Sequence, residues 1–275
     1  MGLNRLFVAY KPSGIGSNNF LYSLKRKYND KKAGFSGTLD PFAKGVLLIG
    51  FGSYTKLFRF LNKTPKVYRA TLWLGAKSDS LDTEMIENVD ILDTISEEEV
   101  LKAVKSLEGE LEYEPPIFSA KRINGKRAYD LARAGIAFEL NKINSSIYET
   151  KLIHYCHPFV TFEATVSEGT YIRSLGSIIA NRLGVKDGSL SALERLNEGQ
   201  FFYENEEALD IKKSLNIPRN EYLGDKENIT FGRVLNLSDL KTQDEGTYWL
   251  DNGDNISILT VNNGEVKYEL GRIWC

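Results

Sequence analysis

The spacing of hydrophobic residues predicts a mixture of strands and helices over most of the chain. Alternating or unbroken apolar stretches predict strands at residues 5–10, 46–51, 67–74 and 159–166. Helical spacing predicts helices at about residues 18–28, 96–107, 129–134 and 172–183. Because these elements mix without a regular βαβ repeat, we expect an α+β fold with a largely antiparallel mixed sheet.

Several helix ends carry recognisable signals. Ser17 is expected to cap the first helix, and Ser96 with Glu99 predicts a capping box. Gly135 and Gly184 are expected to follow the last residues of two later helices.

The sequence changes in character after about residue 213. Short alternating stretches at 247–250, 256–261 and 265–270 are separated by Asp-Asn-Gly-Asp and Asn-Asn-Gly turns. We therefore predict a large domain over residues 1–213 and a small β-rich C-terminal domain over residues 214–275.

Composition is that of an ordinary globular protein, with 42% hydrophobic and 26% charged residues. The N-terminus has no signal-peptide pattern and the longest apolar run is too short to cross a bilayer, so no membrane association is expected. Two cysteines, Cys156 and Cys275, give no disulfide framework, and a cytoplasmic location is the default. His154 and His157, near Cys156, match no zinc spacing, so no metal site is expected.

Charge is strongly partitioned, although the net charge is only −2. Residues 1–80 carry a net charge of +11, residues 81–120 of −10, residues 121–195 of +4 and residues 196–275 of −7. Such partitioning permits a basic face for a polyanion on an otherwise acidic protein, although simple clustering of surface charge would look the same.

The loop at residues 34–41 is the first candidate for chemistry. Gly34 and Gly37 allow a tight backbone path, and Pro41 restrains Asp40 to an extended conformation. A carboxylate presented in this way can act as a nucleophile or base. The same residues also suit an ordinary Asp-Pro turn.

Two further segments supply aromatic rings and cations. Gly169-Thr170-Tyr171-Ile172-Arg173 joins a strand to a helix, and Lys66-Val67-Tyr68-Arg69 begins another strand. Arg173 is suited to a bidentate ion pair with a carboxylate, which would keep the pKa of that carboxyl low. A carboxylate, two tyrosines and arginines together fit a pocket for a flipped-out base.

The order and spacing of these blocks resemble the TruB family of bacterial tRNA pseudouridine-55 synthases over roughly residues 5–200. The matching blocks are Lys11-Pro12-Ser13-Gly14, Gly37-Thr38-Leu39-Asp40-Pro41, Lys66-Val67-Tyr68-Arg69, Pro115-Pro116, Ser119-Ala120-Lys121, Gly125-Lys126 and Gly169-Thr170-Tyr171-Ile172-Arg173. The resemblance implies a pseudouridine-synthase-like catalytic domain at 1–213 and a C-terminal domain that is PUA-like at best. It implies isomerisation of uridine 55 in the tRNA T arm, with no cofactor and no obligate protein partner evident.

The resemblance also implies roles for individual residues. Asp40 matches the catalytic aspartate, and Arg173 the arginine paired with it. The implied substrate-binding residues are Phe35, Tyr68, Tyr171, Arg173, Leu193 and Arg195. Residues 113–142 resemble a clamp on the RNA, and the candidates for contact with the RNA backbone are Lys11, Lys121, Arg122, Lys126, Arg127 and Arg133.

The chain departs from the family pattern at two positions near the site. Phe35 stands where the family usually has histidine, and Glu194 replaces an arginine. Two other functions stay open at this point. One is a tRNA-binding or folding protein that keeps the pocket without catalysis. The other is an aspartate-dependent phosphohydrolase, although its Asp-x-Asp motif is absent at Asp40.

Overall fold

The computed structural model describes residues 4–119, 121–123 and 125–275, so Ala120 of the matched blocks lies outside the described residues. The strands are β1 (Arg5–Lys11), β2 (Ala33–Ser36), β3 (Lys44–Phe51), β4 (Lys66–Leu74), β5 (Ala76–Ser78), β6 (Ile86–Val89), β7 (Gly109–Tyr113), β8 (Arg122–Ile123), β9 (Lys126–Arg127), β10 (Ile143–Cys156), β11 (Phe159–Val166), β12 (Gly188–Glu198), β13 (Phe201–Phe202), β14 (Arg219–Asn220), β15 (Gly246–Asp251), β16 (Asn255–Asn262) and β17 (Glu265–Trp274). The α-helices are α1 (Ser17–Lys27), α2 (Glu97–Lys105), α3 (Ala128–Arg133), α4 (Ile172–Arg182), α5 (Ile211–Ser214) and α6 (Lys226–Phe231). Short 3₁₀ helices occur at Gly52–Lys56, Phe58–Phe60, Thr83–Met85 and Leu237–Asp239.

A mixed sheet forms the centre of the molecule and confirms the predicted fold class. Its strands lie in the order β1-β3-β12-β4-β11-β10-β7, with β2 also paired to β3 and β13 to β12. Within the described residues of this sheet, the pairing of β3 with β12 is the one parallel contact, and the remaining pairs are antiparallel. This topology puts β12 between the strand that follows Asp40 and the strand that carries Tyr68.

Helices α2 and α4 cover one face of the sheet and form its main core. Ile172, Leu175 and Ile179 of α4 are buried against sheet residues such as Leu72. Gly176 allows the close approach of α4, because a Cβ there would lie 2.8 Å from a methyl of Leu190. The first turn of α4 is therefore fixed against the sheet.

The C-terminal strands form a second sheet in the order β14-β15-β16-β17. Ile256 and Ile258 of this sheet share a buried cluster with Leu6 and Val46 of the central sheet. The predicted division at residues 213 and 214 falls within α5, and the two-domain description stays a prediction.

Most predicted elements lie within a few residues of the observed ones. The capping box at Ser96 and Glu99 is confirmed, and Gly135 and Gly184 have the positive φ angles expected after helix ends. The prediction for Ser17 is wrong, because Gly16 is the N-cap and Ser17 is the first residue of α1. None of the helices in the described residues has the length and apolar composition needed to cross a membrane.

Candidate active site

Asp40 lies in the loop between β2 and β3, and hydrogen bonds from the N-terminal segment hold this loop in place. The hydroxyl of Ser17 donates to the carbonyl oxygen of Leu39 (2.8 Å) and accepts from its amide nitrogen (2.9 Å). The amide of Gly14 donates to the carbonyl of Pro41 at 2.8 Å. The first turn of α1 and the turn before it therefore fix the backbone on both sides of Asp40.

Lys11 belongs to the same support, and its implied contact with the RNA backbone stays a prediction. Its side chain is 0% exposed. The ammonium donates to the carbonyl oxygens of Ile15 (2.7 Å), Pro12 (3.0 Å) and Pro41 (3.4 Å). Burial lowers the pKa of Lys11 to about 8, with the nearby Asp40 charge opposing that change. The group is therefore placed to brace the loop that carries Asp40.

Arg173, in the first turn of α4, connects Asp40 to two other segments. Its Nε lies 2.9 Å from Oδ2 of Asp40, and its side chain is 4% exposed whereas that of Asp40 is 35% exposed. One terminal nitrogen donates to the carbonyl of Ser80 (2.6 Å) and the other to the carbonyl of Phe118 (2.9 Å). The predicted pairing of Asp40 with Arg173 is present through Nε, while both terminal nitrogens of Arg173 donate to backbone carbonyls.

Asp82 is a second acidic neighbour that the sequence reasoning missed. Its Oδ2 lies 3.6 Å from a terminal nitrogen of Arg173. Its Oδ1 accepts hydrogen bonds from the Ser80 hydroxyl (2.6 Å) and from the amide of Glu84 (3.0 Å). The available signal was the mostly polar segment of residues 78–82, which begins at the end of β5 and brings short polar side chains next to the sheet.

The acidity of Asp40 differs from the expectation. Burial raises the pKa of Asp40 above its ordinary value, although the Arg173 guanidinium opposes the rise, and the charge of Asp82 raises the pKa further. Arg173 therefore lowers the pKa of Asp40 as expected, but burial outweighs this effect. The arginine orients the carboxylate and limits the rise that burial causes.

A cavity of about 290 Å³ opens over Asp40. Its lining includes the sequence-predicted residues Asp40, Tyr68, Tyr171, Arg173, Leu193 and Arg195. The sheet register places Tyr68 of β4 directly opposite Arg195 of β12, and Tyr171 is the N-cap of α4. The amide of Tyr171 donates to the hydroxyl of Tyr113 at 3.0 Å. Residues far apart in the sequence therefore form one small site.

Arg195 borders this cavity but is bonded mainly to the protein. Its Nε donates to the carbonyl of Val46 (2.8 Å), and a terminal nitrogen donates to the carbonyl of Gly37 (3.1 Å) and lies 2.9 Å from Glu198. Arg195 is 1% exposed and Glu198 is 0% exposed. This geometry favours support of the Gly37–Asp40 loop, and the implied substrate contact of Arg195 stays a prediction.

A larger groove of about 660 Å³ adjoins the site on its other side. Its lining includes Asp40 and Arg173 together with Phe35, Arg122, Arg127 and Arg133. Phe35 lies on β2, not in the loop, and is partly buried against the cluster beneath α1. The groove therefore joins the catalytic candidate to three cations from the predicted clamp.

Two other clamp candidates do not line these cavities. Of the described residues that line either cavity, none is Lys121 or Lys126. Lys121 donates instead to the carbonyl of Asn141 at 3.1 Å. The segment between β7 and β10 contains the β8–β9 hairpin and α3, and its role as a clamp stays a prediction.

Glu194 is of interest because it replaces an arginine of the family pattern. Glu194 accepts a hydrogen bond from the hydroxyl of Tyr10 (2.6 Å) and lies 3.4 Å from Lys44, so it is paired within the protein. Burial, followed by this bond to Glu194, raises the pKa of Tyr10 to about 12. Among the described residues, no three His, Cys, Asp or Glu side chains gather as a metal site.

Comparisons with known proteins show the family of this chain. The model of the TruB family pseudouridylate synthase (N terminal domain) matches residues 25–172. A tRNA pseudouridine synthase B from Sulfurimonas denitrificans is 74% identical over 273 residues, covering 99% of this chain and 100% of that relative. The chain belongs to the TruB family. A TruB-family relative from a Sulfurovum species, also named tRNA pseudouridine synthase B, is 52% identical and is matched over 98% of both chains.

Solved structures support the same fold at much lower identity. The structure titled "Structure of H/ACA RNP bound to a substrate RNA containing 2'-deoxyuridine" has a TM-score of 0.65 and 18% identity, covering 98% of this chain and 85% of that one. A Cbf5-Nop10-Gar1 complex gives a TM-score of 0.65 and 19% identity, covering 98% and 84%. At these identities the likeness concerns the fold alone.

Proposed function

We propose that this TruB-family chain isomerises uridine 55 in the T arm of tRNA to pseudouridine, with Asp40 as the nucleophile. One observation carries the proposal. The Asp40 carboxylate is held 2.9 Å from Arg173 at a cavity that two tyrosine side chains also line. Both tRNA pseudouridine synthase B relatives match the chain over nearly its whole length, which supports the same activity.

The reaction exchanges one bond of the nucleoside for another without redox change. Asp40 in its ionised form attacks the nucleoside, and the bond between N1 of uracil and C1′ of the ribose breaks. The detached uracil turns inside the cavity, and its C5 forms the new bond to C1′. C5 then loses its hydrogen as a proton, N1 gains a proton, and Asp40 is released unchanged.

The site must also hold a base outside the RNA stack. Extrusion of a base costs a few kcal/mol, and stacking on an aromatic ring contributes about 1–3 kcal/mol. Tyr68 and Tyr171 line the cavity and supply such faces. The cavity volume of about 290 Å³ is at the small end for ligand pockets, which suits one nucleoside and retention of the free uracil.

The adjoining groove is our candidate for the rest of the T-arm contact. In this proposal Phe35, which lines the groove, fills space near an extruded base, and the lining residues Arg122, Arg127 and Arg133 meet phosphates. Arg127 donates to the Tyr129 hydroxyl at 3.1 Å, which ties one clamp cation to an aromatic neighbour. No cofactor is required by this chemistry.

The direct test is release of tritium from a T-arm transcript labelled at C5 of its uridines. We expect one equivalent of tritium per RNA, and no release from a transcript that carries cytidine at position 55. Tight binding without release from the first RNA would contradict the proposal and favour a non-catalytic tRNA-binding protein. Equal release from both RNAs would refute the assignment to position 55.

A further inference from the structure

The outer face of helix α1 continues from the groove beside Asp40. Asn18 and Asn19, in the first turn of α1, line that groove. Tyr22 and Arg26 follow Asn19 at spacings of three and seven residues, so they lie on the same face of the helix. Tyr22 is 62% exposed, so its ring is open to solvent on this face. The face thus leads from the catalytic groove toward the C-terminal end of α1.

That end of α1 carries a cluster of positive charge. Residues 16–36 contain 5 Lys and Arg but 1 Asp or Glu. Arg26, Lys31 and Lys32 are exposed, and none of them forms an ion pair with a carboxylate of the described residues. Lys27 differs, because it lies 2.6 Å from Glu206. We define the α1 surface as Asn18, Asn19, Tyr22, Arg26, Lys31 and Lys32.

The helix dipole accounts for only part of this positive charge. Cations in the last turn of a helix interact favourably with its dipole, which covers Lys25, Arg26 and Lys27. Lys31 and Lys32 follow the helix and precede β2, so the dipole does not explain them. Nor does it explain the exposed ring of Tyr22, which has the ammonium of Lys25 5.4 Å from its centroid.

We propose that the α1 surface binds the sugar–phosphate backbone of the T arm where it leaves the catalytic groove. This inference rests on the proposed function. Its support is charge complementarity to a polyanion and continuity with the groove that holds Asp40. The 11 residues of α1 span about 16 Å, which is long enough to follow several phosphates of one strand. Tyr22 adds a stacking face for an unpaired base beside those phosphates.

The test compares two triple variants of the full chain in binding to a T-arm hairpin. The first is Arg26→Ala, Lys31→Ala and Lys32→Ala. The control is Lys102→Ala, Lys105→Ala and Lys151→Ala, which removes the same charge from lysines already paired within 2.7–3.0 Å to Glu98, Glu108 and Glu149. Thermal unfolding of both variants checks that each is folded.

We expect the first variant to bind the hairpin about 10- to 100-fold more weakly near 0.1 M salt. Its plot of log affinity against log salt should be shallower by roughly 2 units, at about 0.7–0.9 per phosphate contact. Its single-turnover tritium release at saturating RNA should match the wild type, because Asp40 and its supports are untouched. The control should keep the wild-type slope.

Three results would overturn the inference. They are an unchanged slope in the first variant, an equal change in the control, and a lower saturating rate at unchanged affinity. Failure of the proposed function is distinguishable from all three. In that case the wild type itself would release no tritium, whatever the variants bind.

Discussion

The buried ammonium of Lys11 predicts a stability that depends on pH in a defined direction. Burial lowers its pKa from 10.5 to about 8 in the folded chain. Between these values the unfolded chain binds more protons than the folded one, so the free energy of unfolding rises as the pH rises. A shift of about 2.5 pKa units corresponds to about 3 kcal/mol across the window, at about 1.4 kcal/mol per unit.

Comparison with Lys11→Met isolates this contribution. The variant lacks both the titrating ammonium and its hydrogen bonds to three carbonyl oxygens, so this position adds no pH dependence to the stability of the variant. Urea unfolding at pH 7.5 and pH 10 measures both proteins, and other titrating groups cancel in the difference. We expect the wild type to gain about 2–3 kcal/mol relative to the variant between these pH values. Equal pH dependence in the two proteins would show that the Lys11 ammonium is well solvated and would refute the reasoning.

Three further predictions concern the site itself. Arg173→Lys should slow single-turnover tritium release by about 100-fold or more, because an ammonium cannot hold Asp40 and two backbone carbonyls at once; full activity would make the arginine dispensable. Asp82→Asn should move the acid limb of the pH–rate profile to lower pH, since the Asp82 charge raises the pKa of Asp40; an unmoved or raised limb in the residual activity would contradict the coupling. Phe35→Ala should slow reaction of a folded T arm by the equivalent of about 1–3 kcal/mol, whereas Phe35→His should keep most activity; equal slowing on a short unpaired strand would mean that Phe35 only packs β2.

The fold was predictable where the sequence keeps a clean period. Strands β4 and β11 alternate along their length, and α4 has regular helical spacing, so all three were predicted. Strand β12 was not predicted, although it lies at the centre of the sheet. Its pairing with β4 shifts register at Leu190/Ala192 and again at Arg195/Asn197, and each shift breaks the two-residue period.

The site was predictable in its residue types but not in its supports. Asp40, Tyr68, Tyr171 and Arg173 were chosen from short blocks, and the structure brings them to one cavity. The burial of Lys11 was not predictable. Lys11 is the first residue of a Lys-Pro-Ser-Gly turn, and a lysine at such a position is normally exposed. Its position depends on carbonyl groups from two separate turns, and such long-range backbone contacts leave no local pattern in a sequence.

The role of Asp40 is tested most directly by Asp40→Asn, measured for both chemistry and binding. Asp79→Asn is a matched control, because Asp79 is an exposed aspartate in the neighbouring polar run. Single-turnover tritium release from the labelled T arm and the Kd for the same RNA are measured on all three proteins. We predict no release from Asp40→Asn with a Kd within about tenfold of the wild type, and normal behaviour of Asp79→Asn. Release from Asp40→Asn at a rate near that of the wild type would contradict a nucleophilic role for Asp40.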